Sequence, residues 1–259
     1  LIVKVRKAGP GSFFAQARSL LLAIVVALLF RTTSVQAFTV PTGSATPTLL
    51  TGDSVLVSKF AYGYSRYSLP WAPGFLHGRL FGASPRRGDM AVFVNPRDGV
   101  VTLKRIVGLP GDRVQVVHGV LTINGQAARR ERIGTYLERD WDEPAGAPVE
   151  SLRYRYRETL PGGVEHEILG SPVDDPEDSG PVDDTQVYVV PAEHYFGMGD
   201  SRDNSADSRF LDELGYIPAE NLIGRVELRL VSFDPGARAW EIWKYPTTLR
   251  FGRFFGVVR

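Results

Sequence analysis

The chain has no cysteine, which excludes disulfides, thiolate metal sites and a cysteine nucleophile. An oxidising compartment stays open, because such places permit disulfides without requiring them. Histidine is scarce. His77, His118, His166 and His194 are scattered with no HxxxH or HExxH spacing, so neither a metal site nor a cofactor is expected. Excess charge is missing as well: the formal net is +1, and nothing demands a nucleic-acid partner. What 259 residues do allow is one large β-rich domain, or a core with an inserted lobe. The first residue is Leu1 rather than Met, which leaves room for a longer N-terminus and a further membrane segment before it.

Acidic residues are absent from positions 1–18, which carry Lys4, Arg6, Lys7 and Arg18. Residues 19–30 then run SLLLAIVVALLF without interruption. Counted from Phe13, the segment has about 18 residues, or roughly 27 Å of helix, enough to cross a bilayer if Arg18 snorkels. The cationic flank places residues 1–12 in the cytoplasm and everything after Arg31 outside. The same pattern, ending in Val35-Gln36-Ala37 before Phe38, also describes a cleavable signal peptide. Cleavage after Ala37 would leave the following turn on a frayed terminus, so an uncleaved transmembrane anchor over 13–31 is the favoured reading. A buried core helix is the third, weakened by the basic flank.

Residues 38–53, FTVPTGSATPTLLTGD, are too rich in Pro, Gly, Ser and Thr for a helix interior. Pro41 and Pro47 bracket Thr42-Gly43-Ser44, a turn that would hold one hydroxyl in a fixed direction. Such a serine is more often a turn-former than a nucleophile, and alone it decides nothing. Residues 55–60 and 90–94 are short β-type runs. The connection between them holds Tyr62, Tyr64, Tyr67, Trp71, Phe75 and Phe81. These rings belong either in a core or, beside Arg66 and Arg79, in a lipid headgroup zone. Residues 114–117 and 120–123 read as a hairpin turning at His118-Gly119, with a second tight turn at Asn124-Gly125.

Residues 129–187 differ in texture and read as an inserted lobe dividing a core of 38–128 and 188–259. They hold a basic cluster (Arg129, Arg130, Arg132) and an alternating strand over 153–157. Asp174, Asp175, Glu177, Asp178, Asp183 and Asp184 lack the Asp-x-Asp-x-Asp-Gly calcium spacing and read as a solvated loop. Residues 188–198 return to strand. The aromatic and basic stretch 240–259 is a final core element or a second membrane contact.

Three short segments carry the chemistry: the Ser44 turn, TLKRIVGLPGD at 102–112, and GMGDSRDNSADSR at 197–209. Together they resemble bacterial type I signal peptidase, the membrane-anchored serine protease that removes signal peptides from exported proteins. Pro41-Thr42-Gly43-Ser44, with Pro47-Thr48-Leu49 and Gly52-Asp53, is similar to the family's nucleophile box. Arg87-Gly88-Asp89 with Val92-Phe93 matches the next. Lys104-Arg105 with Gly108-Leu109-Pro110-Gly111-Asp112 matches the general-base box, and residues 199–209 match the last. The chain departs from the family at Ala45, where methionine is usual. The smaller side chain leaves volume beside the serine unless a neighbour fills it, and a methionine at 45 is expected to be tolerated with activity kept or raised.

The resemblance implies a mainly β fold: a catalytic core of coiled antiparallel sheets, a smaller inserted lobe and an N-terminal transmembrane helix. It also implies a Ser–Lys dyad, with Ser44 as nucleophile and Lys104 as general base. An ordinary lysine, with a pKa of about 10.4, is protonated and useless as a base. Apolar surroundings of the kind offered by Leu103, Ile106 and Val107 can bring a catalytic lysine to about 7–8. By the same resemblance the Ser44 amide and the Thr42 hydroxyl form the oxyanion hole, and Ser205 orients the Lys104 amine. Arg105, Asp200, Asp207 and Arg209 brace the site by ion pairing. The implied partners are signal peptides with small residues before the cut, Ala-x-Ala being typical, and membrane phospholipid. The implied state is a monomer in the bacterial plasma (inner) membrane, N-terminus cytoplasmic and catalytic domain on the outer or periplasmic side. Two alternatives stand beside it: a conjugation-type peptidase of the same clan, and an inactive anchored β-domain that only binds signal peptides.

Overall fold

The structure is a computed structural model and describes residues 10–69, 74, 77–140, 149–170, 182–234 and 248–258. The apolar N-terminal stretch forms helix α1 (Pro10–Thr33), followed by β1 (Val35–Thr39), β2 (Asp53–Ser58), β3 (Met90–Val94) and β4 (Val101–Gly108). Next come β5 (Arg113–Val117), β6 (Val120–Ile123), β7 (Gln126–Ala127), β8 (Arg129–Asp140), β9 (Val149–Thr159) and β10 (Glu165–Gly170). The last strands are β11 (Tyr188–Val189), β12 (His194–Met198), β13 (Ile217–Pro218) and β14 (Leu222–Ser232). They build a seven-stranded sheet, β1-β2-β14-β3-β4-β12-β13, a three-stranded sheet, β10-β9-β8, and a four-stranded sheet, β11-β5-β6-β7. All the pairings between these strands are antiparallel. The expected mainly β architecture is what is found.

Sequence pattern accounts for the pieces. The run Met90-Ala91-Val92-Phe93 is buried on both faces, as befits a strand lying between β14 and β4 in the middle of a sheet. In β5 and β6 the inward residues Val114, Val116, Leu121 and Ile123 alternate with outward ones. The turn at His118-Gly119 has φ of 48° and 73°, and that at Asn124-Gly125 has 54° and 78°, the left-handed pairs that close a two-residue hairpin. Neighbouring β4 residues serve opposite faces. Val107 joins Val114, Leu121 and Phe196 in one core, and Ile106 joins Phe93, Tyr195 and Ile217 in another. A third core, with Val40, Leu49, Val55 and Met90, lies under the Ser44 turn. Ala45 is 2% exposed within it.

The expected anchor is not supported as a membrane span. The helix forms, but among the described residues no helix is long and apolar enough to cross a membrane. Gln16, Arg18 and Ser19 interrupt its apolar character before an apolar run that starts at Leu20, of which the side chains of 20–26 are described. Those side chains are exposed, Leu20 at 64% and Leu22 at 63%.

The aromatic connection divides between its two readings. Tyr62 is buried and its hydroxyl donates to Asp89 Oδ2 at 3.1 Å, whereas Phe81 is 89% exposed. Arg79 does not face outward to a headgroup: its guanidinium donates to the carbonyls of Tyr62, Gly63, Ala219 and Leu222 and ties the connection to the start of β14. Trp71 and Phe75 lie outside the described residues, as do Asp174, Asp175, Glu177 and Asp178 and, in the stretch from Trp240, residues 240–247 and 259. Asp184 accepts from the His118 amide at 2.8 Å. Residues 248–258 pair with β14 at Val257 and with Phe233, just past its end, at Leu249, and Arg253 binds Asp53 at 2.6 Å while Phe251 and Phe255 stay exposed.

Candidate active site

A single 3-10 turn, Gly43–Ala45, carries Ser44, entered from an extended Thr42. Its hydroxyl lies 3.5 Å from Thr42 Oγ1. β4 delivers Lys104 from the other side. Only 4% of Lys104 is exposed, and its ammonium donates to Ser205 Oγ at 2.9 Å. Burial drives the Lys104 ammonium down to about 8, with Asp207 pulling in the opposite sense. Thr42, Ser44, Lys104 and Ser205 line one cavity of about 420 Å³, although no hydrogen bond joins Ser44 Oγ to Lys104 Nζ.

Close backbone approach makes this possible. A Cβ at Gly197 would press on Lys104 Cβ at 3.1 Å, and one at Gly199 would collide with the Ser205 side chain and come within 2.7 Å of the Ser44 carbonyl oxygen. That carbonyl accepts the Ser201 amide at 3.1 Å, so the 199–205 loop is bonded to the serine turn itself.

Two buried ion pairs hold the loop. Arg105 binds Asp200 in a fork, Nε to Oδ1 at 2.8 Å and Nη2 to Oδ2 at 2.7 Å, and its third arm donates to Gly88 O. Thr48 Oγ1 adds a 2.6 Å bond to Asp200 Oδ2, which joins the serine turn to the same carboxylate. Asp207 accepts from Arg209 Nε at 2.8 Å and from the Gly199 amide at 3.0 Å. Burial alone would raise both carboxyls. The guanidiniums outweigh it and hold Asp200 and Asp207 below the ordinary range. The structure thus brings Thr42, Ser44, Lys104 and Ser205 to one cavity, with Arg105, Asp200, Asp207 and Arg209 packed behind it.

A family model described as signal peptidase, peptidase S26, matches residues 14–231. The chain belongs to the signal peptidase family. A signal peptidase I of Rickettsia prowazekii (strain Madrid E) is 38% identical over 210 residues, covering 79% of this chain and 75% of the relative. One of Rickettsia bellii (strain OSU 85-389) is 35% identical over 260 residues, covering 92% and 83%. A solved signal peptidase I from Enterococcus faecalis V583 matches 55% of this chain and 97% of its own at 23% identity with a TM-score of 0.30, too low to lend weight. The chain is accordingly a peptidase, a peptide-bond hydrolase of the signal peptidase family.

Around this signal peptidase site stand residues that sequence reading passed over. Glu138 of β8 accepts from Ser201 Oγ at 2.8 Å, and Glu158 of β9 accepts from Arg202 Nη1 at 2.9 Å. His166 of β10 is buried, with Nε2 3.3 Å from Glu158 Oε2 and no hydrogen bond at either ring nitrogen. One signal was available. Tyr156 and Leu160 take the buried parity of their segment, and Glu158 falls between them, an acid where an apolar side chain belongs.

Proposed function

We propose that the chain removes signal peptides from exported preproteins with Ser44 as nucleophile and Lys104 as general base. One observation carries the reading: a lysine stripped of water, its ammonium disfavoured to about 8, opens on the same cavity as a serine in a rigid turn. Neutral Lys104 takes the proton as Ser44 Oγ attacks the scissile carbonyl, then returns one to the leaving amine. Water repeats the cycle on the acyl-enzyme. The Ser44 amide and the Thr42 hydroxyl hold the oxyanion, a role worth about 2.7–4 kcal/mol per donor. The direct Ser44–Lys104 bond forms when substrate enters, since catalytic hydrogen bonds are commonly loose in the free enzyme. Ser205 keeps the amine aimed, and the Arg105–Asp200 and Arg209–Asp207 pairs keep the loop still.

The substrate lies along β4. β12 pairs with that strand only from Arg105 to Gly108, so among the described residues 101–104 keep an open edge that ends at the site. An extended segment added there gains backbone hydrogen bonds, with small side chains selected beside the serine. The exposed apolar side chains of α1, with the basic flank before them, attach the chain to the bacterial plasma membrane, the sheets on its outer side. The purified chain is expected to cut a preprotein after an Ala-x-Ala segment. Ser44→Ala and Lys104→Ala are each expected to abolish the cut, and full turnover in either would remove the dyad.

A further inference from the structure

The sheet β10-β9-β8 has no chemical part in that scheme, yet it grips the loop that carries Ser205 in three ways. The backbone of residues 200–202 lies against β10: Leu169 N donates to Asp200 O and Arg202 N donates to Leu169 O, both at 2.9 Å. Ser201 Oγ donates to Glu138 Oε1 at 2.8 Å. Deepest is the pair Glu158–Arg202, where Nη1 reaches Oε1 at 2.9 Å and Nη2 meets Oε2, with side chains 0% and 5% exposed. The residues gripped connect to the reacting groups through the same loop. Ser201 N holds the Ser44 carbonyl at 3.1 Å, Arg209 Nη2 donates to Arg202 O at 2.6 Å, and Ser205 holds Lys104.

A buried Glu–Arg pair adds little net stability over well-packed apolar residues of the same size. What it adds is direction, because a planar guanidinium held at both nitrogens by one carboxylate has a single orientation. Glu158 sits on the middle strand of its sheet, in register with Arg130 of β8 and His166 of β10, and its carboxylate lies 3.3 Å from His166 Nε2. Burial disfavours its charge, but Arg202 and His166 outweigh that and hold it well below the carboxylate range, so it stays ionised. Glu158 itself does not line the cavity.

We propose that Glu158 is a positioning residue for the peptidase reaction: through the Arg202 guanidinium it sets the 199–205 loop so that Ser205 Oγ meets Lys104 Nζ. The inference rests on the Ser44–Lys104 reading and gives the inserted sheet a task in that site. Its test compares Glu158→Gln, Glu158→Asp, Arg202→Met and the Glu158→Gln/Arg202→Met double variant. Three readouts are taken: kcat and KM on a signal-peptide substrate, the pH profile of kcat/KM, and Lys104 acylation by acetic anhydride against pH, followed by mass spectrometry. Glu158→Gln is expected to lower kcat about 10- to 100-fold, as small misplacements do, with KM held within about twofold. Both pH curves move to the alkaline side, because a Lys104 released from Ser205 is better hydrated.

Glu158→Asp recovers part of the loss, and the double variant is no worse than Arg202→Met alone. A folded Glu158→Gln protein with wild-type kcat and an unchanged acylation curve overturns the proposal. Additive losses in the double variant overturn the route through Arg202. Should Glu158→Gln not fold, Glu158→Asp decides: it keeps the charge but draws the carboxylate back by one methylene, and wild-type kcat there is equally fatal. If the wild-type chain cuts no signal peptide, the dyad reading fails by itself. The acylation curves then answer separately whether Glu158 sets Lys104, a shift supporting the proposal and no shift overturning it.

Discussion

Lys104 meets two opposed demands, and the conflict is measurable. As a base it must be neutral near working pH, and as a buried side chain it costs the fold something whenever it is charged. Its pKa falls from 10.5 to about 8 on folding. The folded chain therefore binds fewer protons than the unfolded one between those values, and stability rises with pH across that window. Well below 8 the cost is fully present, on the order of 3 kcal/mol. Lys104→Met removes it while matching the shape of the stem, so that variant is expected to cleave nothing and yet unfold at a higher temperature at pH 7. The lost Ser205 bond trims the gain by about 1 kcal/mol. Thermal melts of both proteins at pH 7 and pH 10.5 check this. The gap should shrink towards zero at the higher pH, and a gap of the opposite sign at pH 7 would show that Lys104 is not strained by burial.

At the scale of elements, the site depends on how closely the 199–205 loop can approach β4 and the serine turn. Gly199→Ala places a methyl group against Ser205 and within 2.7 Å of the Ser44 carbonyl oxygen, so the loop must move away from both. Cleavage is expected to fall about 100-fold or more for a displacement near 1 Å. Because the strain is confined to one loop, circular dichroism should report an intact sheet. Wild-type turnover in that variant would mean the approach is not needed.

Elements of this kind were unevenly legible in the sequence. β3 and the β5–β6 hairpin could be read directly, because burial imposes a local period and His118-Gly119 and Asn124-Gly125 mark turns with left-handed φ. The site could not be read that way. Lys104 and Ser205 are 101 positions apart, and Thr48 and Asp200 are 152 apart, distances over which no local pattern operates. Only family resemblance linked those boxes. Arg202 lay inside a recognised box, but its partner Glu158 lay in a strand that resemblance did not cover, so the pairing stayed hidden. The length of α1 was legible from its apolar run.

Across the whole molecule, activity and stability respond to pH in different windows. Asp200, Asp207 and Glu158 are all held below the ordinary carboxylate range by arginine partners. Their contribution is complete above about pH 4 and is lost as pH falls below that towards the folded values. His166 is buried and pushed below 6.5, mainly by burial and then by Arg105, so it opposes folding only as pH drops under 6.5. Lys104 changes stability only above about 8. Between roughly 6.5 and 8, then, these groups leave stability nearly flat, while the fraction of neutral Lys104 falls from about a half to about 3%. Lowering the pH from 8 to 6.5 is therefore expected to cut kcat/KM by about 15-fold, with a nearly constant melting temperature and full recovery when the pH is restored. Below about pH 4 the loss should become one of structure, seen as a falling melting temperature. A melting temperature that declines in step with activity between pH 8 and 6.5 would place the titrating group in the fold rather than at Ser44, and the base assigned to Lys104 would have to be given up.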